Sequence, residues 1–370
     1  MSIKIYLISN MYPSKSNPTF GIFVHNIRSQ LENQGGIVAP LAVIKGTRKG
    51  LFQKIIRYSQ YFFSVIIKGL FGSYNVIYLH YLPHSIIPTL FFNTFRNKPL
   101  IVHAQGGDLE QQSAGKTYFK FLRILSKIAL NKAEAVLVPS KQFREMANKT
   151  YGIDKAKIYI SPSGGVNRGI FKPLNAKDSK NELVISNNLF VIGFVSRFVK
   201  GKGTDVFLKS LRLLNIDNFA AVMVGFGPLE KNIVQTIRNY GLTDKITVYD
   251  NHATNHASLV NYFNAFDVFI FPTTLKESLG LVGLEAMACS IPVIASDIDV
   301  MKEYMEDGRN GFLFKPGDEV DLSNKIEIFY KLNPEQKKAM KTEALLTAKE
   351  FDADSHAEKL MKIFQHTLHC

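Results

Sequence analysis

Two successive doubly wound α/β domains are what this sequence predicts. Short β-rich runs alternate with longer helical patterns along most of the chain, as they do where parallel strands are joined by crossover helices. The alternation starts afresh near Leu189, and 370 residues suffice for two separate apolar cores. With 46% hydrophobic and 21% charged residues the composition is that of a globular protein, and two cysteines, Cys289 and Cys370, cannot make a disulfide scaffold.

In the first series, strands are expected at Ile3 to Ser9, Val38 to Val43, Val76 to His80, Leu100 to Ala104, Ala135 to Pro139 and Lys157 to Ser161, with helices between them. The second series has strands at Leu189 to Ser196, Ala220 to Gly225, Ile246 to Val248, Val268 to Pro272 and Pro292 to Ser296. Between the two, Lys172 to Ser186 is polar and punctuated by Pro173, Asn175 and Asn181, and reads as a linker. From Pro334 to about Phe364 the Ala and Lys content favours helix. The expected organisation is a domain over 1–175, a second over 185–345 and a helical segment over 346–370. The N-terminus shows no secretory apolar run. The longest stretch free of Asp, Glu, Lys and Arg, Gly69 to Phe95, is broken by His80, Pro83, His84 and Pro88. A cytoplasmic chain without a transmembrane helix is expected.

The net charge of +14 is unevenly placed: residues 1–180 hold 25 Lys and Arg against 7 Asp and Glu, and residues 181–370 hold 20 against 24. An anionic partner for the first half alone follows, whether membrane surface, phosphorylated lipid or nucleic acid. Nucleic acid is the weakest of these, because no recognition motif accompanies the charge. Lys116, Lys120, Arg123 and Lys127 fall at offsets that stack them as one stripe on a helix, beside Phe119, Leu122, Ile124, Leu125 and Ile128. A second candidate runs from Arg48 to Phe71, with Phe52, Ile55, Ile56 and Phe63 among Lys49, Lys54, Arg57 and Lys68. Either can be a core helix with a solvated basic side or a face for an anionic membrane, and the charge excess favours the membrane.

Ligands of open α/β domains sit at the carboxyl ends of strands, so the loops there are the places to search for chemistry. After the first strand of the second series comes Ser196-Arg197-Phe198-Val199-Lys200-Gly201-Lys202-Gly203, two cations five residues apart in a turn that enters a helix. Such a turn is either a solvated basic loop or a phosphate clamp, in which Arg binds bidentately and Lys adds a point charge. The Gly225-Phe226-Gly227-Pro228 turn either lets a ligand approach the backbone or serves geometry alone. After Pro272, Glu277 and Glu285 flank Gly280 and a helix start near Leu281; either Glu277 is a cap and Glu285 a surface residue, or the free amides and dipole suit a diphosphate and the carboxylates vicinal hydroxyls.

These residues bring the chain to a known family. With the E-x7-E pair Glu277 and Glu285, the Arg197 and Lys202-Gly203 turn, Gly225-Phe226-Gly227-Pro228, Glu285 to Ser296, Gly165-Val166-Asn167 and Asn310-Gly311-Phe312-Leu313, it resembles the retaining GT4-type glycosyltransferases of GT-B fold. The resemblance covers almost the whole chain. It implies two Rossmann-like domains facing across a cleft, with the C-terminal helix returning to the first. A nucleoside-diphosphate sugar would be held mainly by the second domain and the acceptor by the first. Arg197 and Lys202 would bind the diphosphate, Glu285 the ribose, and Glu277 the donor sugar hydroxyls. Backbone amides of Leu279, Gly280, Leu281 and Val282 would lie beside the sugar. Two cations and a helix N-terminus can stabilise the leaving diphosphate unaided, so neither metal nor cofactor is predicted. UDP is the first expectation and GDP the second, because the family reads the base through backbone groups around loops such as Tyr249 to His252.

The loop Asn10 to His25 is similar to that of a subgroup found in surface-polysaccharide synthesis, with Gly21 either the point of close backbone approach or an ordinary helix entry. Where the family carries His-Gly-x-Asp, this chain has Gln105-Gly106-Gly107-Asp108, and Gln cannot exchange a proton near neutral pH. His103, two residues earlier, either compensates or belongs to the core, and Asp108 is the candidate for positioning or deprotonating the acceptor hydroxyl. Ser290 stands where the family commonly has Gly. The expected activity is sugar transfer to a lipid-linked or growing surface glycan at the inner face of the membrane. A non-catalytic GT-B subunit and a GT-B nucleotide-sugar epimerase are the alternatives.

Overall fold

The computed structural model describes residues 2–17, 20–46, 50–111, 117–250 and 256–368. The chain divides into two units, one of Met1–Gly165 with Ala353–Cys370 and one of Val166–Asp352.

The first unit alternates strand and helix: β1 (Ile5–Tyr12), α1 (Ile22–Asn33), β2 (Leu41–Lys45), α2 (Leu51–Phe71), β3 (Val76–His80) and α3 (Ile86–Arg96). It continues through β4 (Leu100–His103), α4 (Gly107–Gln111), α5 (Thr117–Lys132), β5 (Ala135–Val138), α6 (Lys141–Tyr151) and β6 (Ile158–Ile160). All six strands pair in parallel, in the order β2-β1-β3-β4-β5-β6. Helices cover both faces, so the central strands β3, β4 and β5 are apolar runs buried on each side rather than alternating ones.

The second unit runs α7 (Ala176–Glu182), β7 (Phe190–Val195), α8 (Thr204–Leu213), β8 (Phe219–Gly225), α9 (Glu230–Asn239), β9 (Ile246–Asp250) and α10 (Leu259–Ala265). Then come β10 (Val268–Phe271), α11 (Leu281–Ala288), β11 (Val293–Ser296), β12 (Gly311–Phe314), α12 (Glu319–Lys331) and α13 (Pro334–Glu350). Its parallel sheet is ordered β12-β11-β10-β7-β8-β9. The sixth strand, β12, falls on Gly311-Phe312-Leu313, seen in the sequence as a motif and not as a strand. Caps set the last helices: Asp318 accepts from the Val320 and Asp321 amides, and Asn333 and Gln336 form a capping box with Pro334 in the first turn of α13.

Both expected boundaries move. The presumed linker Lys172 to Ser186 holds α7, packed on α10. Lys180 is buried there, its Nζ 3.0 Å from both Asp267 Oδ2 and the Leu189 carbonyl, while Asp267 also accepts from the Val191 amide. The segment therefore belongs to the second unit, and a buried ion pair hidden in a polar-looking stretch is the reason. The C-terminal helical stretch also splits. α13 stays with the second unit, whereas α14 (Ala353–Thr367) returns to the first and packs on α1. Leu360, Met361 and Phe364 of α14 join Val24, Ile27 and Leu31 of α1 in the core beneath β1 and β3, and the Phe364 ring meets Tyr78 edge-on at 5.0 Å.

The first unit is thus completed by the last helix of the chain. Phe364→Ala, which empties a fully buried aromatic site, is expected to destabilise that unit by about 3–5 kcal/mol. Hydrogen exchange should show lost protection in β1, β3 and α1 with the second sheet unchanged. Unchanged protection in those elements would mean that α14 does not hold the unit together.

Candidate active site

Strand order decides where the second sheet can hold a ligand. β7 lies between β8 and β10, so the crossovers leaving β7 and β10 diverge and open a crevice at their carboxyl ends. The two loops at that point are Ser196 to Gly203 and Pro272 to Gly280. The Gly201 carbonyl ties them together, accepting from the Thr274 amide at 2.8 Å and the Thr274 hydroxyl at 3.2 Å.

Lys202 and Glu277 meet across this junction. Lys202 Nζ donates to Glu277 Oε1 at 2.6 Å, and the Thr273 hydroxyl donates to the same oxygen at 2.8 Å. The two side chains are 15% and 13% exposed, so most of their water is gone, yet each keeps a face toward solvent. Arg197, at the start of the same loop, is exposed and makes no ion pair with the described residues. Glu277 is followed by Leu279, which is buried, and by Gly280, which caps α11 at φ 78°. That left-handed geometry suits glycine, and a Cβ would also meet the Met301 methyl at 2.5 Å. Tyr304 backs the turn, its hydroxyl donating to the Gly280 carbonyl at 3.3 Å. Leu281 and Val282 open α11, half-buried, with the first amides of the helix at the loop.

Glu285 sits one turn further on, buried on α11. His256 Nε2 lies 3.2 Å from its Oε1 and is also held edge-on by the Phe171 ring at 5.3 Å. The Glu285 carboxylate raises the His256 pKa above the ordinary imidazole value, outweighing burial, which lowers it. Each acid of the pair thus has its own basic partner, Lys202 for Glu277 and His256 for Glu285. Cys289 is no nucleophile, for burial first and the Glu285 charge second push its thiol up to about 12.

Gly225 has a different explanation from the ligand approach considered for it. A Cβ there would run into the Ser196 carbonyl oxygen, and the two turns are further joined by Phe198 N–H to Phe226 O at 2.7 Å and Leu229 N–H to Phe198 O at 3.1 Å. The bare face is filled by the loop that carries Arg197. Ser290, the other departure, takes φ 64°, which explains why glycine suits the position. Its hydroxyl donates to the Lys341 carbonyl at 3.0 Å.

The acceptor-side candidates of the first unit are engaged within the fold. Asp108 is fully buried. Its Oδ1 accepts from the Gln105 and Leu109 amides at 2.9 and 3.1 Å, and its Oδ2 from the Leu82 amide at 3.2 Å. Burial pushes its pKa up to about 6 against those amides. It clamps the loops after β3 and β4 and presents no face to an acceptor hydroxyl. His103 is a core histidine, fully buried, 2.7 Å from the Tyr78 hydroxyl, with its pKa driven down to about 3 by burial. Gln105 spans the gap, its amide nitrogen 3.4 Å from His80 Nδ1 and its oxygen accepting from the Ser163 hydroxyl at 3.2 Å. Gly21 caps α1 at φ 68°, and a Cβ would lie 2.5 Å from the Met11 carbonyl carbon, so its own strand fills the close approach.

Of the basic stripe, Lys120, Arg123 and Lys127 are exposed on α5, and Lys116 lies outside the described residues, as does His252 of the nucleobase loop. Among the described residues no three His, Cys, Asp or Glu side chains gather as a metal site would need. Thr273, Tyr304 and His256 were not singled out in the sequence. Thr273 had a signal, as the first residue past a predicted strand end. His256 and Tyr304 had none, being lone residues brought in by packing.

Residues 175–346 match the family model described as glycosyl transferases group 1. The capsular polysaccharide biosynthesis glycosyltransferase CapM of Staphylococcus aureus is 26% identical over 235 residues, which cover 62% of this chain and 60% of that protein. A D-inositol 3-phosphate glycosyltransferase of Paenarthrobacter aurescens (strain TC1) is 30% identical over 186 residues, 49% of this chain and 45% of that one. The chain therefore spans about half the length of these curated relatives. The solved structure of Anabaena HepE in complex with UDP-glucose is similar over 98% of this chain and 100% of its own, with a TM-score of 0.78 at 20% identity. A likeness at that identity speaks to fold, and the fold is the two-domain α/β arrangement called GT-B. The segment that carries Lys202, Glu277 and Glu285 thus matches the glycosyl transferases group 1 model, in a chain of GT-B fold.

Proposed function

We propose that this protein is a retaining glycosyltransferase. It moves a sugar from a nucleoside diphosphate, UDP before GDP, to a hydroxyl of a lipid-linked or growing surface glycan at the anionic inner face of the membrane. The observation that carries this reading is the Lys202–Glu277 pair at the crevice of the second sheet, beside the exposed Arg197 and the N-terminus of α11. A nearly desolvated ion pair is close to neutral in net stability, because lost hydration offsets its attraction. Its Lys can therefore turn to a diphosphate while its Glu turns to sugar hydroxyls. CapM, a capsule-biosynthesis protein by name, and the UDP-glucose bound to HepE favour the same donor and acceptor classes.

In the reaction a bond forms between the acceptor oxygen and the anomeric carbon as the bond from that carbon to the diphosphate oxygen breaks on the same face. Negative charge grows on the leaving diphosphate, where Arg197, Lys202 and the amides of Leu279 to Val282 meet it. The acceptor proton passes to the departing phosphate oxygen. That assignment fits the first unit, where Asp108 and His103 are occupied within the fold. Glu285 takes the ribose, and His256, 3.2 Å from its Oε1, holds its orientation.

Thermal shift across UDP, GDP, ADP and their sugar conjugates is expected to select one nucleotide. Removing one charge-assisted phosphate contact, in Arg197→Ala or Lys202→Ala, should weaken that nucleotide by roughly 10- to 100-fold. A protein unmoved by every nucleotide would end the proposal and leave the non-catalytic subunit. The His256–Glu285 pair gives a second expectation. Because the histidine pKa is raised in the fold, its contribution is complete below the unfolded value of about 6.5 and is lost as pH rises through the raised one. Wild type should therefore be more stable than His256→Gln at about pH 6 and gain little over it at about pH 9. A gap that widens with pH would refute the ion pair.

A further inference from the structure

Three helices of the first unit, α2, α3 and α5, lie on the same face of its sheet. α3 packs against both of the others, and Tyr61, Val65, Phe92, Ala129 and Leu130 on their inner sides share one buried core. The outer sides of such a layer are ordinarily polar. On α2, however, Phe52, Ile56, Phe63, Ile67 and Phe71 form an exposed stripe at helical spacing, with Phe52 74% and Phe71 82% accessible. On α3, Ile87, Phe91 and Phe95 recur every four residues, also exposed, and the last two rings pack on each other at 5.7 Å. Phe121, Ile124 and Ile128 continue the pattern on α5. Single exposed apolar residues are common, but aligned stripes on three neighbouring helices are not.

Charge says what covers this face. The three helices contain eight Lys and Arg and no Asp or Glu. Exposed Lys54 on α2, and Lys120, Arg123 and Lys127 on α5, accompany the apolar stripes. Cations beside an aromatic and aliphatic surface match a bilayer interface, with anionic headgroups meeting the cations and acyl chains the rings. Among the described residues no helix is long and apolar enough to cross a membrane, so the contact is with one leaflet.

We infer that the outer face of α2, α3 and α5 is a monotopic membrane seat, with its aromatic side chains inserted below the headgroups of an anionic leaflet. This goes further than adsorption of a basic stripe. It rests on the proposed function for its purpose, since a seated first unit would meet a lipid-linked acceptor in the plane where that acceptor lies.

The chain has no tryptophan, so Phe63→Trp or Phe91→Trp supplies a single reporter of depth. With vesicles containing phosphatidylglycerol, the emission should shift to the blue and be quenched by brominated acyl chains. Lys120→Gln, Arg123→Gln and Lys127→Gln should each lower partition about fivefold. Phe63→Asp with Phe91→Asp should abolish flotation while the nucleotide thermal shift stays as in wild type. Flotation with unchanged indole emission would overturn insertion in favour of adsorption by charge alone. Failure to float, with self-association in lipid-free buffer that Phe63→Asp removes, would reassign the face to a second copy of this chain. A protein that inserts but binds no nucleotide would sink the glycosyl-transfer reading and leave the membrane seat standing.

Discussion

The second unit depends on how two loops are tied at the point where its sheet changes direction. Parallel strands expose their last carbonyls and amides at the carboxyl edge, and at β7 and β10 the crossovers run in opposite directions along the sheet. The Gly201 carbonyl takes the Thr274 amide and hydroxyl, and Thr273 and Lys202 share one oxygen of Glu277. A half-covered charge pair then remains where a ligand can reach it. Neither charge would be tolerable there alone, because a single ion at 13–15% exposure loses most of its hydration with nothing to replace it. The same pairing that satisfies the fold keeps the chemistry available.

The first unit uses its polar residues in the opposite way. Asp108, Gln105, His80, His103 and Tyr78 gather at the ends of β3 and β4, each engaged by a backbone amide or a neighbouring side chain. The histidines are neutral because burial opposes charging them, His80 further so beside His103. This cluster fixes the loops after β3 and β4 without exposing an acid or a base. What that unit offers its surroundings is surface: one helical layer, α1 with α14, sealed by aromatic packing on the sheet, and another whose outside is apolar and basic.

Much of this was legible in the sequence. Both series of strands lie where β-rich runs alternate with helical periods, since a strand buried on two faces must be an apolar run and its crossover helix must repeat every three to four residues. The loops with Arg197, Lys202 and Glu277 were legible for the same reason, because their position just past a strand end is a matter of local order. The uneven charge of the two halves is likewise a property of the chain alone. The linker misled because Lys180 and its polar neighbours look solvated until Asp267, 87 residues away, is brought beside Lys180.

Roles that depend on which atoms finally face each other were decided by the tertiary structure. Lys202 and Glu277 are 75 residues apart, and their sequence neighbourhoods do not distinguish a pair from two solvated ions. Asp108 and His103 carry the chemistry of an acid and a base, and only burial removes it. Gly225 and Gly21 looked open to a ligand, and only the backbone of Ser196 and Met11 closes them. Propensity and periodicity act over one or two turns of chain, which is why the sequence sets elements and candidate loops by itself. Hydration, pairing and pKa depend on everything within a few ångströms, and that neighbourhood exists only once the chain has folded.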